Sequence, residues 1–187
     1  MMPGGADPSL MTSAYAPSAD EKFPVRKPNM NMIPRAFHRK VVRYSSSEKP
    51  GTIIINTGER QLYLIEPNDV AIRYGIGVGR EGFEWAGRAQ IRRKAKWPTW
   101  TPPPEMVARE PRLRKFAGGM PGGASNPLGA RALYLFQGNR DTQYRVHGTN
   151  DPRSIGKAMS SGCVRLLNHD IADLYERARI GAEVIVI

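Results

Sequence analysis

The chain has 187 residues, which is enough for one well-buried domain with extra segments and short for two. Its formal net charge is +11, and its single cysteine excludes an intramolecular disulfide and a cysteine-rich zinc site. No run approaches the roughly 20 apolar residues of a transmembrane helix, and no signal peptide is visible at the start. We therefore expect no transmembrane segment, no metal site and no cofactor.

The first 49 residues differ in composition from the rest of the chain. Residues 1–34 are rich in Pro, Ser, Ala, Met and Asn and have no hydrophobic period, which predicts a flexible tail or linker. The segment RAFHRKVVRYSSSEKPG (35–51) forms a basic bridge, in which KVVRY predicts either an edge strand or a simple lead into the domain. We accordingly divide the chain into a tail with its bridge, 1–49, and one domain, 50–187.

The sequence of the domain predicts more strands than helices. From Gly51, β-branched runs separated by the turn signals TGE and PND predict an antiparallel meander over 52–57, 61–66 and 69–76. RALYLFQ, QYRVHG, CVRLL and AEVIVI predict further strands, and FAGGMPGGASNPLGA predicts a loop. NHDIADLYERARI predicts a helix capped by Asn168, and one helical turn is expected from Glu105. The fold class is therefore a mostly β, single domain with one or two short helices.

Most of the excess positive charge lies in one stretch. Between Arg88 and Lys115 there are nine Arg or Lys residues and two Glu residues, a local net charge of +7. Such a stretch is typical either of a solvated surface or of a surface that binds an anionic partner. Because nothing else resembles a nucleic-acid-binding module, nucleic acid is the last-ranked partner and we do not expect it.

Cys163 is a candidate nucleophile if one of the three histidines serves it as a base. His38 lies in the basic bridge and is expected to face solvent. His169 falls in the first turn of the predicted helix, where the positive helix end disfavours its protonation, and is expected on the surface. His147 ends a predicted strand and precedes the turn sequence HGTN, so it is the best candidate for the base.

The residues around this cysteine are of types that can bind an oxyanion. Gly162 allows the backbone to approach a substrate closely and to turn its N–H groups inward. Ser161 can add a hydroxyl, and Arg165 can steady a thiolate or bind a substrate carboxylate.

The residue after the candidate base has its own predicted role. Gly148 offers a backbone carbonyl that can accept a hydrogen bond from Nδ1 of His147. Such a bond would fix the tautomer so that the other ring nitrogen faces the sulfur.

The stretch HGTNDPRSIGKAMSSGCVR resembles the signature of the YkuD-type (ErfK/YbiS) L,D-transpeptidases of bacterial cell walls. PGTIIINTGERQLYLI, YGIGVGREGFEWAG, KWPTWTPPPEM and NPLGARALYL also resemble members of this family, so that the resemblance covers about 50–187. Many members have His where this chain has Ser161, a difference that removes one candidate oxyanion donor. The fold that the resemblance implies is a β-sandwich-like catalytic domain.

The resemblance implies a role for each matching residue. Cys163 is the implied nucleophile, His147 its base, and Gly148 orients the imidazole. The backbone N–H groups of Gly162 and Cys163 would bind the oxyanion. The substrate would be positioned by Ser161, Arg165 and Tyr144. Trp97 and Trp100 would form either an apolar wall of the cleft or simply the packing of a Pro-rich loop.

The implied reaction is acyl transfer on peptidoglycan stem peptides. The cysteine would attack the carbonyl of diaminopimelate at position 3 of a tetrapeptide stem, release D-Ala and pass the acyl group to another diaminopimelate amine in a 3→3 cross-link. The acceptor can instead be an outer-membrane or other envelope protein, water (a carboxypeptidase or endopeptidase) or a free D-amino acid. A basic rim formed by 88–115 would attract stem carboxylates, carbapenems would acylate the cysteine, and the location would be the periplasm or cell envelope.

Overall fold

The computed structural model describes residues 22–25, 28–79, 85–160 and 163–187. Within these residues, none of the helices has the length and apolar character needed to span a membrane. The elements of regular structure are strands β1 Lys40–Arg43, β2 Ile53–Asn56, β3 Gln61–Glu66, β4 Val70–Gly75, β5 Val78–Gly79, β6 Gly87–Lys96, β7 Arg131–Gln137, β8 Arg140–Thr149, β9 Ala158–Ser160, β10 Val164–Leu167 and β11 Glu183–Val186, helices α1 Pro104–Arg109 and α2 Asn168–Arg177, and short 3₁₀ turns at Met30–Met32, Arg35–Phe37, Pro111–Phe116 and Pro152–Ser154.

Among the described residues, nine strands are joined in one sheet with the order β1-β4-β3-β2-β11-β6-β7-β8-β10. Most neighbours are antiparallel, but β11 pairs with β2 and β10 pairs with β8 in parallel. β5 and β9 form a separate parallel pair. The closing strand β11 therefore joins the meander β2–β4 to the half of the sheet that carries β8 and β10.

A single hydrophobic core joins the two halves of the sheet. Ile53 and Leu62 from the meander belong to the same buried cluster as Val146, Val164 and Leu166 from the other half, so the sheet encloses a shared core. Helix α2 contributes its apolar face to this cluster through Ile171 and Leu174. In β2, Ile54 points away from this core into a second cluster, because successive side chains of a strand alternate between faces.

The predicted fold class, mostly β with one or two short helices, is confirmed. The meander expected over 52–57, 61–66 and 69–76 corresponds to the antiparallel strands β2, β3 and β4. Asn168 is not the cap of α2, as the sequence predicted: the cap position is Leu167, and Asn168 is the first helical residue. The side chain of Asn168 is used elsewhere, since its Oδ1 accepts a hydrogen bond from the backbone N–H of Ala130 at 2.9 Å.

Residues that precede the predicted domain pack against it. β1 adds an edge strand that pairs antiparallel with β4. Upstream of β1, Ile33 is buried in a cluster with Ile155 and Leu167. Phe37 lies directly over Gly75 and Gly156, where a β-carbon on either glycine would clash with it. The division at residue 49 stays a prediction; residues 28–43 nevertheless contribute contacts to the folded body.

A buried arginine joins this upstream segment to α2. The Arg39 side chain is 6% exposed; its Nη1 lies 2.8 Å from Asp173 Oδ2 and its Nε lies 3.8 Å from Oδ1 of the fully buried Asp170. Tyr74 donates its hydroxyl to the same Asp173 oxygen at 2.7 Å, and Arg177 pairs with it at 3.0 Å. Because charges removed from water need partners, the upstream segment and the helix depend on each other here.

The basic strand β6 uses its charges within the fold. Arg88 forms ion pairs with Glu48 at 2.6 Å and Glu183 at 2.9 Å. Lys94 donates to the backbone carbonyls of Tyr175 and Ala178 at the end of α2, where the helix dipole favours a cation. These basic residues therefore satisfy neighbouring carboxylates and helix carbonyls.

We expect Arg39→Met to lower the free energy of unfolding by about 3 kcal/mol, because it leaves the buried carboxylate of Asp170 without this cation. Urea denaturation measures the change. Lys40→Met on the exposed edge strand is the matched control and should change stability by less than about 0.5 kcal/mol. An Arg39→Met loss no larger than that of the control would show that the ion pair contributes nothing.

Candidate active site

Cys163 opens into a cavity of about 700 Å³ between the ends of β8 and β10 and the loop segment 100–128. The strand side contributes His147, Thr149, Cys163 and Arg165. The described part of the loop side is largely apolar, with one acid and one base; its residues are Trp100, Met106, Glu110, Arg112, Leu113, Phe116, Met120, Ser125, Pro127 and Leu128. An apolar wall facing a thiol and an imidazole suits the acyl part of a peptide.

Two parallel strands place the polar side chains of this cavity. β8 and β10 pair so that Arg165 is opposite His147 and Val164 is opposite Val146. The two valines are buried in the main core, so the alternating residues Arg165 and His147 project from the other face. Cys163 immediately precedes β10 and lines the cavity with them. The shared register therefore brings the cysteine and the histidine, 16 positions apart in the chain, to one place.

His147 is fixed by its neighbour along the chain. Its Nδ1 lies 2.8 Å from the Gly148 carbonyl oxygen, and since a carbonyl only accepts, Nδ1 carries the hydrogen and the neutral ring keeps its lone pair on Nε2. The side chain is 6% exposed. Burial lowers the pKa of His147 to about 4, the hydrogen bond to Gly148 opposes this effect, and the positive charge of Arg165 adds to it. The imidazole is therefore neutral at physiological pH.

Cys163 is half-buried and unpaired by any disulfide. Burial raises the pKa of its thiol, while the backbone N–H and the charge of Arg145, followed by the charge of Arg165, act in the opposite direction. Since the rise outweighs these effects, the sulfur is protonated at neutral pH. The cavity is therefore lined by a neutral imidazole and by a thiol whose pKa lies above its ordinary value.

Arg165 is held in the cavity lining by Gly77, which lies between β4 and β5. Gly77 and Arg165 exchange two backbone hydrogen bonds of 2.9 Å. A β-carbon on Gly77 would lie 3.2 Å from Nη2 of Arg165 and would clash with the Ser154 carbonyl. Burial lowers the pKa of Arg165, and the negative charges of Cys163 and Asp151 oppose this effect.

The structure separates two of the predicted site residues from the cavity. Tyr144 alternates with His147 along β8, so its ring packs against the main core and stacks on Trp85 at 5.4 Å. Trp97 is buried against residues 22–25, with the ring of Phe23 edge-on to its indole at a centroid distance of 5.1 Å. The sequence left two roles open for the tryptophans, an apolar wall of the cleft or the packing of a loop; Trp100 lines the cavity with Cys163, and Trp97 is not among its described lining residues. Ser161 and Gly162 lie outside the described residues.

The other two histidines are less exposed than the sequence predicted. His169 is 6% exposed, because it faces the fold from the first turn of α2, and burial lowers its pKa. His38 is half-buried, with its Nε2 at 2.8 Å from the Ile33 carbonyl oxygen. Neither lies among the described residues that line the Cys163 cavity.

The basic rim formed by 88–115 stays a prediction. Of the nine basic residues from Arg88 to Lys115, the described lining of the cavity includes Arg112, which pairs with Glu110 at 2.7 Å. In β6, Lys94 contacts the end of α2 and Arg88 pairs with Glu48 and Glu183, whereas Arg93 lies over the ring of Tyr134 at 4.6 Å. Charge counting along the chain could not distinguish these two environments.

Sequence reasoning missed the apolar residues of the loop segment and the contact made by Asn168. Met106 and Phe116 line the cavity, but they fall in Pro- and Gly-rich sequence without a period that would indicate their direction. Asn168 did carry a signal, a polar residue at the start of a helix, yet that signal indicates a cap rather than a contact with Ala130.

The comparison with family models gives one match. A model described as the L,D-transpeptidase catalytic domain, YkuD, matches residues 50–186 and so includes both Cys163 and His147.

Individual relatives are consistent with this match. The chain is 35% identical to the probable L,D-transpeptidase ErfK/SrfK of Escherichia coli K12 over 144 residues, 72% of this chain and 43% of that protein. It thus spans less than half the length of this curated relative.

Two solved structures are similar in fold. One, from Brucella melitensis, is named a probable carnitine operon oxidoreductase; it is 48% identical with a TM-score of 0.58, and the match covers 85% of this chain and 99% of that one. An L,D-transpeptidase from Mycobacterium smegmatis has a TM-score of 0.53 at 16% identity, with 73% of this chain and 58% of that chain covered. The latter identity shows the fold alone. The oxidoreductase name describes the Brucella protein, whereas the family model matches the residues of this cavity.

The lowered pKa of His147 predicts a pH-dependent stability. In the unfolded chain, the imidazole of His147 binds a proton below about pH 6.5, whereas in the folded protein it does so only below about pH 4. The folded state therefore loses stability as the pH falls through this interval. Between pH 7.5 and 4.5 we expect wild type to lose about 2 to 3 kcal/mol more than His147→Gln, measured by urea denaturation. Parallel pH curves for the two proteins would show that His147 is not buried in its neutral form.

The raised pKa of Cys163 predicts slow alkylation at neutral pH. Because the chain has one cysteine, iodoacetamide incorporation followed by intact mass reports on this site alone. We expect the rate to rise tenfold per pH unit from about pH 6 to pH 9, with the unfolded protein in urea as the reference thiol. A rate plateau between about pH 5 and pH 7 would instead indicate a preformed thiolate–imidazolium pair.

Proposed function

The chain belongs to the YkuD family of L,D-transpeptidase catalytic domains, and from that premise we propose that it transfers the acyl group of a peptidoglycan stem peptide through a thioester on Cys163. One observation carries the proposal. Cys163 and His147 line the same cavity, and the Gly148 carbonyl holds the imidazole in the tautomer that leaves Nε2 able to accept a proton. In this proposal residues 50–187 form the catalytic domain.

The first half-reaction consumes the donor stem. As the sulfur attacks the carbonyl of diaminopimelate at position 3, His147 takes the thiol proton, since both groups are neutral at rest. The tetrahedral oxyanion accepts hydrogen bonds from the backbone N–H groups of Gly162 and Cys163. When the bond to the terminal D-Ala breaks, the imidazolium returns the proton to the leaving amine, and a thioester remains.

The second half-reaction regenerates the thiol. An amine attacks the thioester carbonyl, His147 removes the amine proton, and the sulfur leaves and is reprotonated. With the side-chain amine of a second diaminopimelate as acceptor, the product is a 3→3 cross-link. An amine of an outer-membrane or other envelope protein, a free D-amino acid, or water would use the same thioester and give a different product.

The cavity offers groups for the stem peptide. Arg165 on the strand side and Arg112 on the loop side are the cations available to its carboxylates among the described lining residues. Trp100, Met106 and Phe116 provide apolar surface for its aliphatic chains. Ser161 would add a hydroxyl beside the nucleophile.

The proposed substrate determines where the protein acts. Stem peptides are part of the wall, so the proposed place of action is the periplasm or cell envelope. A β-lactam of the carbapenem class presents an activated carbonyl to the same sulfur, so it should acylate Cys163 as well.

Incubation with purified disaccharide-tetrapeptide, followed by mass spectrometry of the products, tests the function. We expect a cross-linked dimer with loss of one D-Ala. Cys163→Ala should abolish the product, and His147→Ala should lower its rate by about 100-fold or more, the contribution of a general base.

Lys40→Met on the edge strand controls for purification and handling and should retain the wild-type rate. Loss of D-Ala without a dimer would assign water as the acceptor. A dimer that still forms with Cys163→Ala, or the absence of both turnover and a carbapenem adduct in the wild-type protein, would refute the proposal.

A further inference from the structure

Asn168 lies where the elements of the active site meet. It is the first residue of α2 and directly follows β10, the strand that carries Arg165. It is two positions beyond Leu166, which pairs with Gly148 in the parallel register. Its side chain is half-buried and its Oδ1 accepts a hydrogen bond from Ala130 N–H at 2.9 Å.

The amide oxygen of Asn168 fills space that two glycines leave open. A β-carbon on Gly148 would lie far inside van der Waals contact with this oxygen, and so would one on Gly129. Gly129 also has a φ of +65°, a conformation that other residues rarely adopt. The close approach therefore requires glycine at both positions and brings Asn168 against the backbone of Gly148.

The contact of Asn168 with Gly148 acts together with two hydrogen bonds to hold the Gly148 peptide in place. On one side, Gly148 N–H donates to the Leu128 carbonyl at 3.0 Å. Two residues on from Leu128, Ala130 N–H donates to Asn168, so the short segment 128–130 is held at both ends. The Gly148 carbonyl, which accepts from His147 Nδ1, is thus fixed between this segment and Asn168.

We propose that Asn168 is a positioning residue for His147: by holding segment 128–130 and the Gly148 peptide, it aims the Gly148 carbonyl at Nδ1 and so fixes the tautomer of the base. The effect on turnover rests on the proposed function of Cys163 and His147. The effect on the tautomer does not, because it follows from the hydrogen-bond geometry alone. These two consequences can therefore be measured separately.

The test compares three variants. Asn168→Ala removes the acceptor, Asn168→Asp keeps an oxygen at the same position, and Asn56→Ala is the matched control. Asn56 also accepts a backbone hydrogen bond through Oδ1, from Glu59 N–H at 2.9 Å, but it does so in the turn between β2 and β3. It therefore reports the cost of losing such a bond away from the cavity.

The first readout is the tautomer of His147, measured by ¹⁵N–¹H correlation spectra of the imidazole. We expect the Nδ1–H form in wild type, Asn168→Asp and Asn56→Ala, and a mixture of both tautomers in Asn168→Ala. If Asn168→Ala does not fold, Asn168→Ser, whose shorter side chain also falls away from Ala130, replaces it. An unmixed Nδ1–H form in a folded Asn168→Ala or Asn168→Ser variant would overturn the proposal, even if its melting temperature falls.

The second readout is acyl transfer. We expect Asn168→Ala to lower kcat about tenfold or more, as for other groups that orient a functional histidine, with KM changed by less than about threefold. Asn168→Asp should recover most of the rate. A wild-type protein with neither turnover nor a carbapenem adduct would refute the proposed function, and the tautomer measurement would then decide the role of Asn168. A wild-type kcat in Asn168→Ala would overturn the positioning role itself.

Discussion

The hydrogen bond from His147 Nδ1 to the Gly148 carbonyl determines what this cavity can do. It uses one ring nitrogen for orientation and leaves the other as a proton acceptor. Burial keeps the imidazole neutral at physiological pH, so its Nε2 can accept a proton. The parallel pairing of β8 and β10 then supplies the partner, because it brings Cys163 and Arg165 to the same face.

The rest of the fold maintains this arrangement. The alternation that turns Val146 and Val164 into the core also turns His147 and Arg165 into the cavity, so the hydrophobic core and the site specify each other. Helix α2 begins at the end of β10 and is anchored by Arg39 from the upstream segment. Residues before the family domain thus stabilise the helix whose first residue touches the Gly148 backbone.

The strands could be predicted from β-branched runs between turn signals, and the shared cavity of Cys163 and His147 from the family signature that both residues match. The position of Trp97 could not, since it is buried by Phe23 from a segment without a hydrophobic period. The contacts of Arg88 and Lys94 in β6 could not be predicted either, because their partners, Glu183 and the carbonyls of α2, are distant in sequence. His169 was misplaced for a similar reason: helix position alone does not reveal which side is covered.

The proposed reaction depends on a thioester that forms on Cys163 with the help of a neutral His147. The most direct measurement is the intact mass of the protein after acid quench, during reaction with a tetrapeptide donor and no amine acceptor. We expect a mass increase equal to the acyl group of the donor without its terminal D-Ala, located on Cys163 and absent in Cys163→Ala. D-Ala release without any adduct on Cys163, or an adduct on another residue, would contradict it.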